Sequence, residues 1–188
     1  MTTIYLVQHG EKERVPGDPG LSAVGREQAA ATARWFLRIG LTEVCSSPLR
    51  RARETAEPIA TAVGVAVRVD DRLRERVNWE AGEPFDNFQA DWDRSTRDRD
   101  FVLSNGESSR SAGDRLRGFV IDVARRPGPV AAVSHGGVTT DLLRTLVGDA
   151  ALPPSVLDEG IPACAITTLE DLDVIAISSV GHLAKAMS

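Results

Sequence analysis

Two short apolar runs are each followed closely by a histidine and then a glycine. Residues 4–7 are apolar and long enough for a buried strand, and Gln8, His9 and a glycine follow them. The second run, Val130–Ser134, is followed by His135 and two glycines. Because open α/β folds bind their ligands beyond the carboxyl ends of their strands, we expect both imidazoles at that edge of a sheet.

Helical spacing separates the apolar runs. Ser22 is suited to cap a helix that extends to about residue 39. Ser47 and Pro48 begin a second helix, because proline at the first helical position loses no needed hydrogen bond. Apolar residues at 116, 119, 120 and 123 predict a third helix, and a fourth runs from about 138 to 147, where Gly148 ends it.

Further apolar segments predict the rest of the sheet. Residues 43–46 and 66–69 are short strand candidates, and residues 163–169 and 174–178 are two strands joined by a turn. Strands that alternate with helices of this length favour a mostly parallel sheet covered on both faces. We therefore predict an α/β fold, with a single three-layer α/β/α domain over residues 1–188.

One segment does not fit this alternation. Residues 70–100 are polar, charged and irregular, and they predict an excursion, with room for short helices, that folds over one edge of the sheet. The segment contains the aromatic residues Trp79, Phe85, Phe88 and Trp92.

Composition limits the partners of the domain. The 188-residue chain has a formal charge of −5, which argues against a nucleic-acid surface as its main partner. Its two cysteines, Cys45 and Cys164, are too few for a disulfide framework, so a reducing cytoplasm is expected. The sequence has no signal-peptide pattern and no apolar run near the roughly 20 residues that span a bilayer. We therefore expect a cytoplasmic protein without a membrane partner.

Two imidazoles and a guanidinium are predicted to meet at the carboxyl edge. Arg51 stands near the start of the second helix and offers a fork of N–H donors suited to phosphate oxygens. The backbone N–H groups around Gly136, which follows His135, also favour an anion. Together with His9, these groups predict a phosphate site. The chain lacks G-x-x-x-x-G-K-[ST] and G-x-G-x-x-G, so no nucleotide cofactor is implied, and its three histidines lack the close spacing of a zinc site.

A different chemistry at phosphate also fits part of the sequence. Cys45 and Arg51 have the C-x-x-x-x-x-R spacing in which a thiolate attacks phosphorus and the arginine holds phosphate. The segment has no glycine to let a loop curl around phosphate, and Pro48 removes one N–H of such a loop. We therefore favour Cys45 as a small apolar residue that closes a buried strand.

Three further basic residues are given no part in the site. Arg50 and Arg53 share the helix of Arg51, and a solvated helix face is expected for both. His182 follows the last predicted strand, and it is expected at the surface or at the start of a helix.

Six motifs occur in a fixed order along the chain. They are L-V-Q-H-G-E-K near the start, L-S-A-V-G-R-E-Q-A, S-S-P-L-R-R-A-R-E-T-A, L-R-E, G-E-S and V-S-H-G-G-V. In this order the chain resembles the histidine phosphatases, also called the phosphoglycerate mutase-like superfamily. The resemblance covers nearly the whole chain to about residue 148 and is weaker beyond it.

The resemblance implies a role for four side chains. His9 matches the nucleophile that takes the phosphoryl group, and Arg51 matches a phosphate-binding arginine. His135 matches the second histidine, which holds phosphate oxygens and stabilises charge in the transition state. Glu75, in L-R-E, matches one position of the general acid and base, which protonates the departing alcohol and then activates water.

The implied function is hydrolysis of a phosphomonoester through a phosphohistidine, without cofactor or metal. Glu80 and Glu83 remain alternatives to Glu75 as the acid and base. The substrate is a small-molecule phosphate ester or a phosphoprotein. A phosphoglycerate-type mutase is favoured less, because residues 70–100 offer limited material to keep water from the phosphoenzyme.

One position departs from the family pattern. The family's first motif is normally Arg-His-Gly, with the arginine on the phosphate, whereas this chain has Gln8. A hydrogen bond to a charged group is worth about 1.5–3 kcal/mol, so its loss would cost about ten- to a hundredfold in binding or rate. Lys12, three residues after His9, is predicted to restore the missing charge at the phosphate. The alternative function is a phosphate- or phosphoprotein-binding module with weakened or lost turnover.

Overall fold

The computed structural model describes residues 1–184. Within them, the strands are β1 Thr3–Gln8, β2 Glu43–Ser46, β3 Val67–Val69, β4 Val130–Ser134, β5 Ile166–Glu170 and β6 Asp173–Ser179. The helices are α1 Ala23–Phe36, α2 Arg50–Val63, α3 Phe85–Arg97, α4 Ser109–Ala124, α5 Gly136–Val147, α6 Pro154–Asp158 and α7 Gly181–Ala184. Short 3₁₀ turns cover Asp71–Leu73 and Asp149–Ala151. Every helix in this part of the chain is too short or too polar to cross a lipid bilayer.

The strands form a mixed sheet in the order β3-β2-β4-β1-β5-β6. The first four strands in this order are parallel to one another, and β5 and β6 form an antiparallel hairpin beside β1. In the parallel pair of β1 and β4, Gln8 is level with Ser134. The residues that follow the two strands, His9 and His135, therefore reach the same edge of the sheet. The α/β fold with a mostly parallel sheet is confirmed.

Alternate residues of β1 face opposite sides of the sheet, as a strand of period two requires. Ile4 and Leu6 belong to an apolar cluster that includes Phe119 of α4, and Val7 belongs to a second cluster that includes Phe36 of α1. Burying one such side chain contributes about 1.5–3 kcal/mol. Both faces of the sheet are therefore covered by helices, which gives the three predicted layers.

The segment 70–100 contains a helix, as the prediction of an irregular excursion with room for short helices allowed. This helix, α3, runs for 13 residues over Phe85–Arg97, and its position was not predicted from the sequence. Phe85, Phe88 and Trp92 are spaced i, i+3 and i+7, so they lie on one face of the helix. Many acidic and basic residues between them hide this period in the sequence.

Several element boundaries also differ from the predictions. Helix α5 begins at Gly136, directly after His135, and not at residue 138. Strand β5 begins at Ile166, because Cys164 adopts a left-handed backbone conformation with φ of 55° that a strand does not accept. The first change matters for the site, since it brings a helix N-terminus next to the second histidine.

Candidate active site

A cleft of about 690 Å³ opens at the carboxyl edge of the sheet. Most of the predicted site residues line it, namely Gln8, His9, Lys12, Arg51, Glu75 and Gly136. His135 is buried beside them, with its ring centroid 5.1 Å from that of His9. The structure therefore brings all seven predicted residues to one place.

The ring of His9 is fixed by a hydrogen bond to its own loop. His9 Nδ1 lies 2.7 Å from the carbonyl oxygen of Gly10. Because a carbonyl can only accept, Nδ1 carries the proton and Nε2 presents a lone pair. Burial, the nearby positive charge of Arg51 and that of Lys12 lower the pKa of His9 to about 3. The imidazole is therefore neutral and unprotonated at Nε2 near neutral pH.

The backbone around His9 is held by two other parts of the chain. The N–H of Cys164 donates to the carbonyl of His9 at 3.2 Å. The N–H of Gly10 donates to the Thr55 hydroxyl at 3.0 Å, and Thr55 in turn donates to the carbonyl of Arg51. These contacts couple the loop after β1 to the first turns of α2.

Arg51 is aimed at His9 from the first turn of α2. Its Nε lies 3.3 Å from His9 Nε2, and the residue is 4% exposed. One Nη donates to Asn78 Oδ1 at 2.8 Å, and the other lies 3.6 Å from the Asp18 carboxylate. A guanidinium held in this way offers a preset fork of donors to an anion at His9 Nε2.

His135 lies at the start of α5. Its Nε2 shares a hydrogen bond with the hydroxyl of Ser47 at 2.8 Å, and its Nδ1 has no partner among residues 1–184. Burial, Arg51 and His9 hold the pKa of His135 well below its ordinary value. The ring is therefore neutral, and Gly136, the first residue of α5, lines the same cleft as His9.

Glu75 stands on the wall of the cleft. Its carboxylate accepts hydrogen bonds from the N–H of Arg76 at 2.9 Å and from the N–H of Gly137 at 3.0 Å. Both bonds favour the charged form, yet desolvation by burial outweighs them and raises the pKa of Glu75. Of the two alternatives, Glu80 is exposed and Glu83 is half-buried outside the cleft lining.

Gln8 and Lys12 both reach the cleft. Gln8 Nε2 lies 3.3 Å from His9 Nε2, and Gln8 Oε1 is buried without a hydrogen-bond partner within the described residues. Lys12 is half-buried, and burial together with Arg51 and Arg14 lowers its pKa. A second cation thus stands near His9, although its role at the phosphate stays a prediction.

Several residues of the site were not predicted from the sequence. Asn78 orients Arg51, and nothing in the irregular segment around it marks it as functional. Ser47 follows strand β2, so a polar residue at a strand end was a usable signal for it. The third is Gly137, where a Cβ atom would lie 2.7 and 2.8 Å from the oxygens of Glu75. Only glycine lets the helix approach the carboxylate this closely.

A buried ion pair behind Glu75 was also missed. Arg76 Nη1 contacts both carboxylate oxygens of Asp141 at 2.8 and 2.9 Å, and the two side chains are 2% and 1% exposed. Ser109 donates to the same carboxylate at 2.5 Å. The guanidinium of Arg76 also stacks on Trp92, 3.9 Å from the ring centroid. This pair links the segment of Glu75 to helices α3, α4 and α5.

The thiolate alternative does not fit the geometry. Cys45 is fully buried in β2, and its thiol donates to the Glu43 carboxylate at 3.4 Å. Burial and Glu43 raise the pKa of the Cys45 thiol to about 12, so the nucleophilic thiolate is disfavoured. Within residues 1–184, no group of three or more His, Cys, Asp or Glu side chains could hold a metal ion.

The remaining basic residues behave differently from one another. Arg50 and Arg53 are exposed, as expected, and Arg50 pairs with Glu54 on the surface of α2. Of the two positions expected for His182, the start of a helix is confirmed in α7, and the residue is buried there, with 8% exposure. Its Nε2 lies 3.1 Å from the Thr32 hydroxyl, and its ring lies near Trp35.

The fold agrees with comparisons to known proteins. The model of the histidine phosphatase superfamily (branch 1) matches residues 4–171, and the chain belongs to this superfamily. The probable phosphoglycerate mutase GpmB of Serratia proteamaculans (strain 568) is 33% identical over 79% of this chain and 76% of its own length. The corresponding protein of Escherichia fergusonii is 31% identical over the same shares.

Solved structures of phosphatases share the fold. The mycobacterial glucosyl-3-phosphoglycerate phosphatase Rv2419c with inorganic phosphate has a TM-score of 0.76 and 27% identity, covering 96% of this chain and 98% of that one. The phosphoserine phosphatase of Entamoeba histolytica with 3-phosphoglyceric acid also has a TM-score of 0.76, with 23% identity over 97% and 100% of the chains. The second likeness concerns the fold alone. Membership of a superfamily that contains phosphatases and mutases supports an enzyme of the phosphatase type.

Proposed function

We propose that this protein is a phosphomonoester hydrolase that forms a phosphohistidine on His9, with Glu75 as general acid and base. The observation that carries the proposal is the unprotonated Nε2 of His9 facing the cleft 3.3 Å from the Nε of Arg51. A neutral imidazole nitrogen can attack phosphorus, and the guanidinium can hold the oxygens of the group under attack.

In the first step, His9 Nε2 bonds to phosphorus while the bond from phosphorus to the ester oxygen breaks. Glu75 gives its proton to the departing alkoxide, so the alcohol leaves neutral. The raised pKa of Glu75 supports this step, because burial keeps a larger fraction of the carboxyl protonated.

In the second step, water attacks the phosphohistidine. The Glu75 carboxylate takes a proton from the water as oxygen bonds to phosphorus and the bond from phosphorus to His9 breaks. Inorganic phosphate leaves, and both residues return to their starting states. One carboxyl group thus serves as acid and then as base.

The phosphate oxygens are held by the groups around His9. We assign them to Arg51, the imidazole of His135 and the N–H of Gly136 at the start of α5, with Gln8 and Lys12 beside them. Hydrogen-bond donors fixed in a partly buried site stabilise developing charge without reorganisation. No cofactor or metal is assigned a role in this proposal.

The relatives include a probable phosphoglycerate mutase and phosphatases, so the mutase alternative needs its own test. We propose hydrolysis because the wall of the cleft formed by residues 70–100 leaves solvent access, as the 51% exposure of Phe85 illustrates. With 3-phosphoglycerate as substrate, a hydrolase releases inorganic phosphate, whereas a mutase returns an isomeric phosphoglycerate. Product analysis by phosphorus NMR separates the two outcomes.

The main experiment measures phosphate release from p-nitrophenyl phosphate and from a panel of phosphorylated metabolites and peptides, with and without chelator. We expect turnover that chelator does not stop and that His9→Ala abolishes. His182→Gln is the matched control, since it changes a histidine outside the cleft. Full activity of a folded His9→Ala protein would exclude the mechanism.

The alternative of a binding module is supported by the uncharged Gln8 beside His9. Such a protein would be stabilised against heat by inorganic phosphate, because a ligand that binds only the folded state raises its melting temperature. It would release no phosphate from any member of the panel and would carry no acid-labile phosphoryl label.

A further inference from the structure

Four aromatic rings form one wall of the cleft, in the order Trp79, Phe85, Phe88 and Trp92. Their successive ring centroids are 5.2, 6.3 and 6.2 Å apart. The first pair meets edge to face, and the next two pairs are tilted by 36° and 35°. We call this series the aromatic wall.

The aromatic wall is not part of the core of the domain. Among the residues of α3, from Phe85 to Arg97, only Ser95 is buried. Phe85 is 51% exposed although it is among the most apolar residues of its helix. A helix that turns its aromatic face to a cleft and not to the core leaves apolar surface that a ligand can cover.

One end of the wall is fixed close to Glu75. The Cη2 atom of Trp92 and both carboxylate oxygens of Glu75 lie within 3 Å of the point where a Cβ on Gly137 would stand. The stacked guanidinium of Arg76, held by Asp141, keeps the indole of Trp92 in place. The wall therefore begins where the proposed acid meets the leaving-group oxygen.

The charged residues around the wall do not form a binding site for a second negatively charged group of the substrate besides its phosphate. Arg76 is bound to Asp141, and Arg144 is bound to Asp149 at 2.7 and 2.9 Å. Among residues 1–184, the cation of this wall without an ion pair is Arg97, which is exposed in the last turn of α3. Exposed acidic residues also line the cleft, namely Asp93, Asp158 and Glu159.

We propose that the aromatic wall is the leaving-group subsite and selects phosphate monoesters whose alcohol carries an aromatic ring. This inference rests on the proposed function, and it adds the chemical class of the substrate. A flat ring next to Trp92 stacks on or packs edge to face with the rings of the wall, an arrangement that adds to the stabilisation from burial. Phe88, in the middle of the wall, contacts the ring on this proposal.

The test compares two substrates with leaving alcohols of similar acidity, 2-phenylethyl phosphate and ethyl phosphate. We expect kcat/KM to be about tenfold or more higher for the aromatic ester, the size of an effect of about 1.4 kcal/mol. Phe88→Ala should lower this ratio several-fold, and a ratio that the substitution leaves unchanged would overturn the inference. Phe101→Ala, a phenylalanine outside the cleft, is the matched control and should keep the ratio.

Further comparisons show whether the aromatic ring belongs to a small molecule or to a phosphoprotein. They also show whether a charged leaving group is preferred to an aromatic one. A free aryl phosphate and a phosphotyrosine residue share the proposed chemistry, so free phosphotyrosine and a phosphotyrosine peptide are compared directly. A higher kcat/KM for the peptide points to a phosphoprotein, and equal values point to a small molecule. Faster turnover of 3-phosphoglycerate than of 2-phenylethyl phosphate would overturn the inference.

Binding separates failure of this inference from failure of the proposed function. Calorimetry with 2-phenylethylphosphonate and ethylphosphonate needs no turnover. We expect the aromatic phosphonate to bind about tenfold more tightly to the native protein, and Phe88→Ala to remove most of that difference. Equal affinities would overturn the aromatic subsite even if phosphate esters are hydrolysed. A tenfold preference without hydrolysis would support the subsite and overturn only the hydrolase.

Discussion

The Nε of Arg51 lies 3.3 Å from the Nε2 of His9, and both residues are buried at the base of the cleft. The adjacent Arg50 has a side chain that is 66% exposed and pairs with Glu54 one turn further along the same helix. Two successive arginines thus have opposite surroundings, and this difference provides a controlled test of the phosphate site.

Replacing Arg51 by Ala should lower kcat/KM for p-nitrophenyl phosphate by about a hundredfold or more. The variant loses two hydrogen bonds to a charged group, each worth about 1.5–3 kcal/mol, or roughly a factor of ten or more. Arg50→Ala, measured in parallel, should leave kcat/KM unchanged, because the exposed ion pair of Arg50 with Glu54 contributes little free energy. Equal losses of kcat/KM in the two variants would show that Arg51 has no special role in binding the phosphate.

A double-mutant cycle tests whether Lys12 compensates for Gln8. Lys12→Met should raise KM about tenfold in the native background, since it removes the cation predicted to replace the family's arginine. Gln8→Arg should restore the charge, so Lys12→Met in that background should change KM little. The non-additivity measures the coupling of the two positions. Additive effects, or a KM that Lys12→Met leaves unchanged, would reject the compensation.

The sequence predicted the parts of the site that follow strands. His9 and His135 were predictable because each ends an apolar run, and parallel strands bring such residues to a common edge. Arg51 was predictable as a residue near a helix start, although α2 begins at Arg50, two residues after Pro48 and not at the proline itself. Their meeting at one cleft follows from the strand order, which places β4 between β1 and β2.

The parts that were missed depend on tertiary contacts. Asn78 lies outside any helix or strand, so only the folded chain shows that it orients Arg51. The pair of Arg76 and Asp141 joins residues 65 positions apart, and each looks like an ordinary surface charge in the sequence. Helix α3 was hidden because its apolar residues face a cleft while charged residues fill the rest of its surface. Periodicity alone does not reveal what a helix faces.

The pH dependence of kcat/KM should show the two titrations of the proposed mechanism, in which His9 attacks phosphorus and Glu75 is the acid. His9 must be neutral to attack, and because its pKa is about 3, this requirement causes loss of activity only in strong acid. Glu75 must be protonated in the first step, and its pKa is raised from the ordinary value of 4.5, so activity should fall as pH rises through that raised pKa. In Glu75→Gln, the alkaline fall that Glu75 causes should be absent.

Glu75→Gln should also lower the rate most for substrates with poor leaving groups. General acid–base catalysis contributes about a hundred- to ten-thousandfold, and an alkyl phosphate needs the proton more than p-nitrophenyl phosphate does. With p-nitrophenyl phosphate, the variant should give a burst of nitrophenol and accumulate phosphohistidine, because the base for the second step is missing. Glu80→Gln is the control, and an equal loss in that variant would reassign the role.

Asp141→Asn should destabilise the protein strongly, with urea unfolding as the measurement. Removing one partner of a buried pair leaves the other charge without compensation, which costs about 3–5 kcal/mol. The matched control is Asp100→Asn, which breaks a pair with Arg110 whose side chains are 69% and 54% exposed. The midpoint of unfolding should not move in the control. Similar midpoints for both variants would show that the buried pair does not stabilise the fold.

Gly137→Ala should lower kcat by about a hundredfold, the size expected for a catalytic group displaced by about 1 Å. The added Cβ would stand 2.7 and 2.8 Å from the oxygens of Glu75 and would overlap Trp92, so both side chains must move. Gly118→Ala is the matched control within α4, where a Cβ meets no atom within 4 Å. That change should stabilise the protein by about 0.5–1 kcal/mol and leave kcat unchanged, because alanine favours a helix more than glycine does. An active Gly137→Ala enzyme would mean that the contact of α5 with Glu75 does not set the position of the acid.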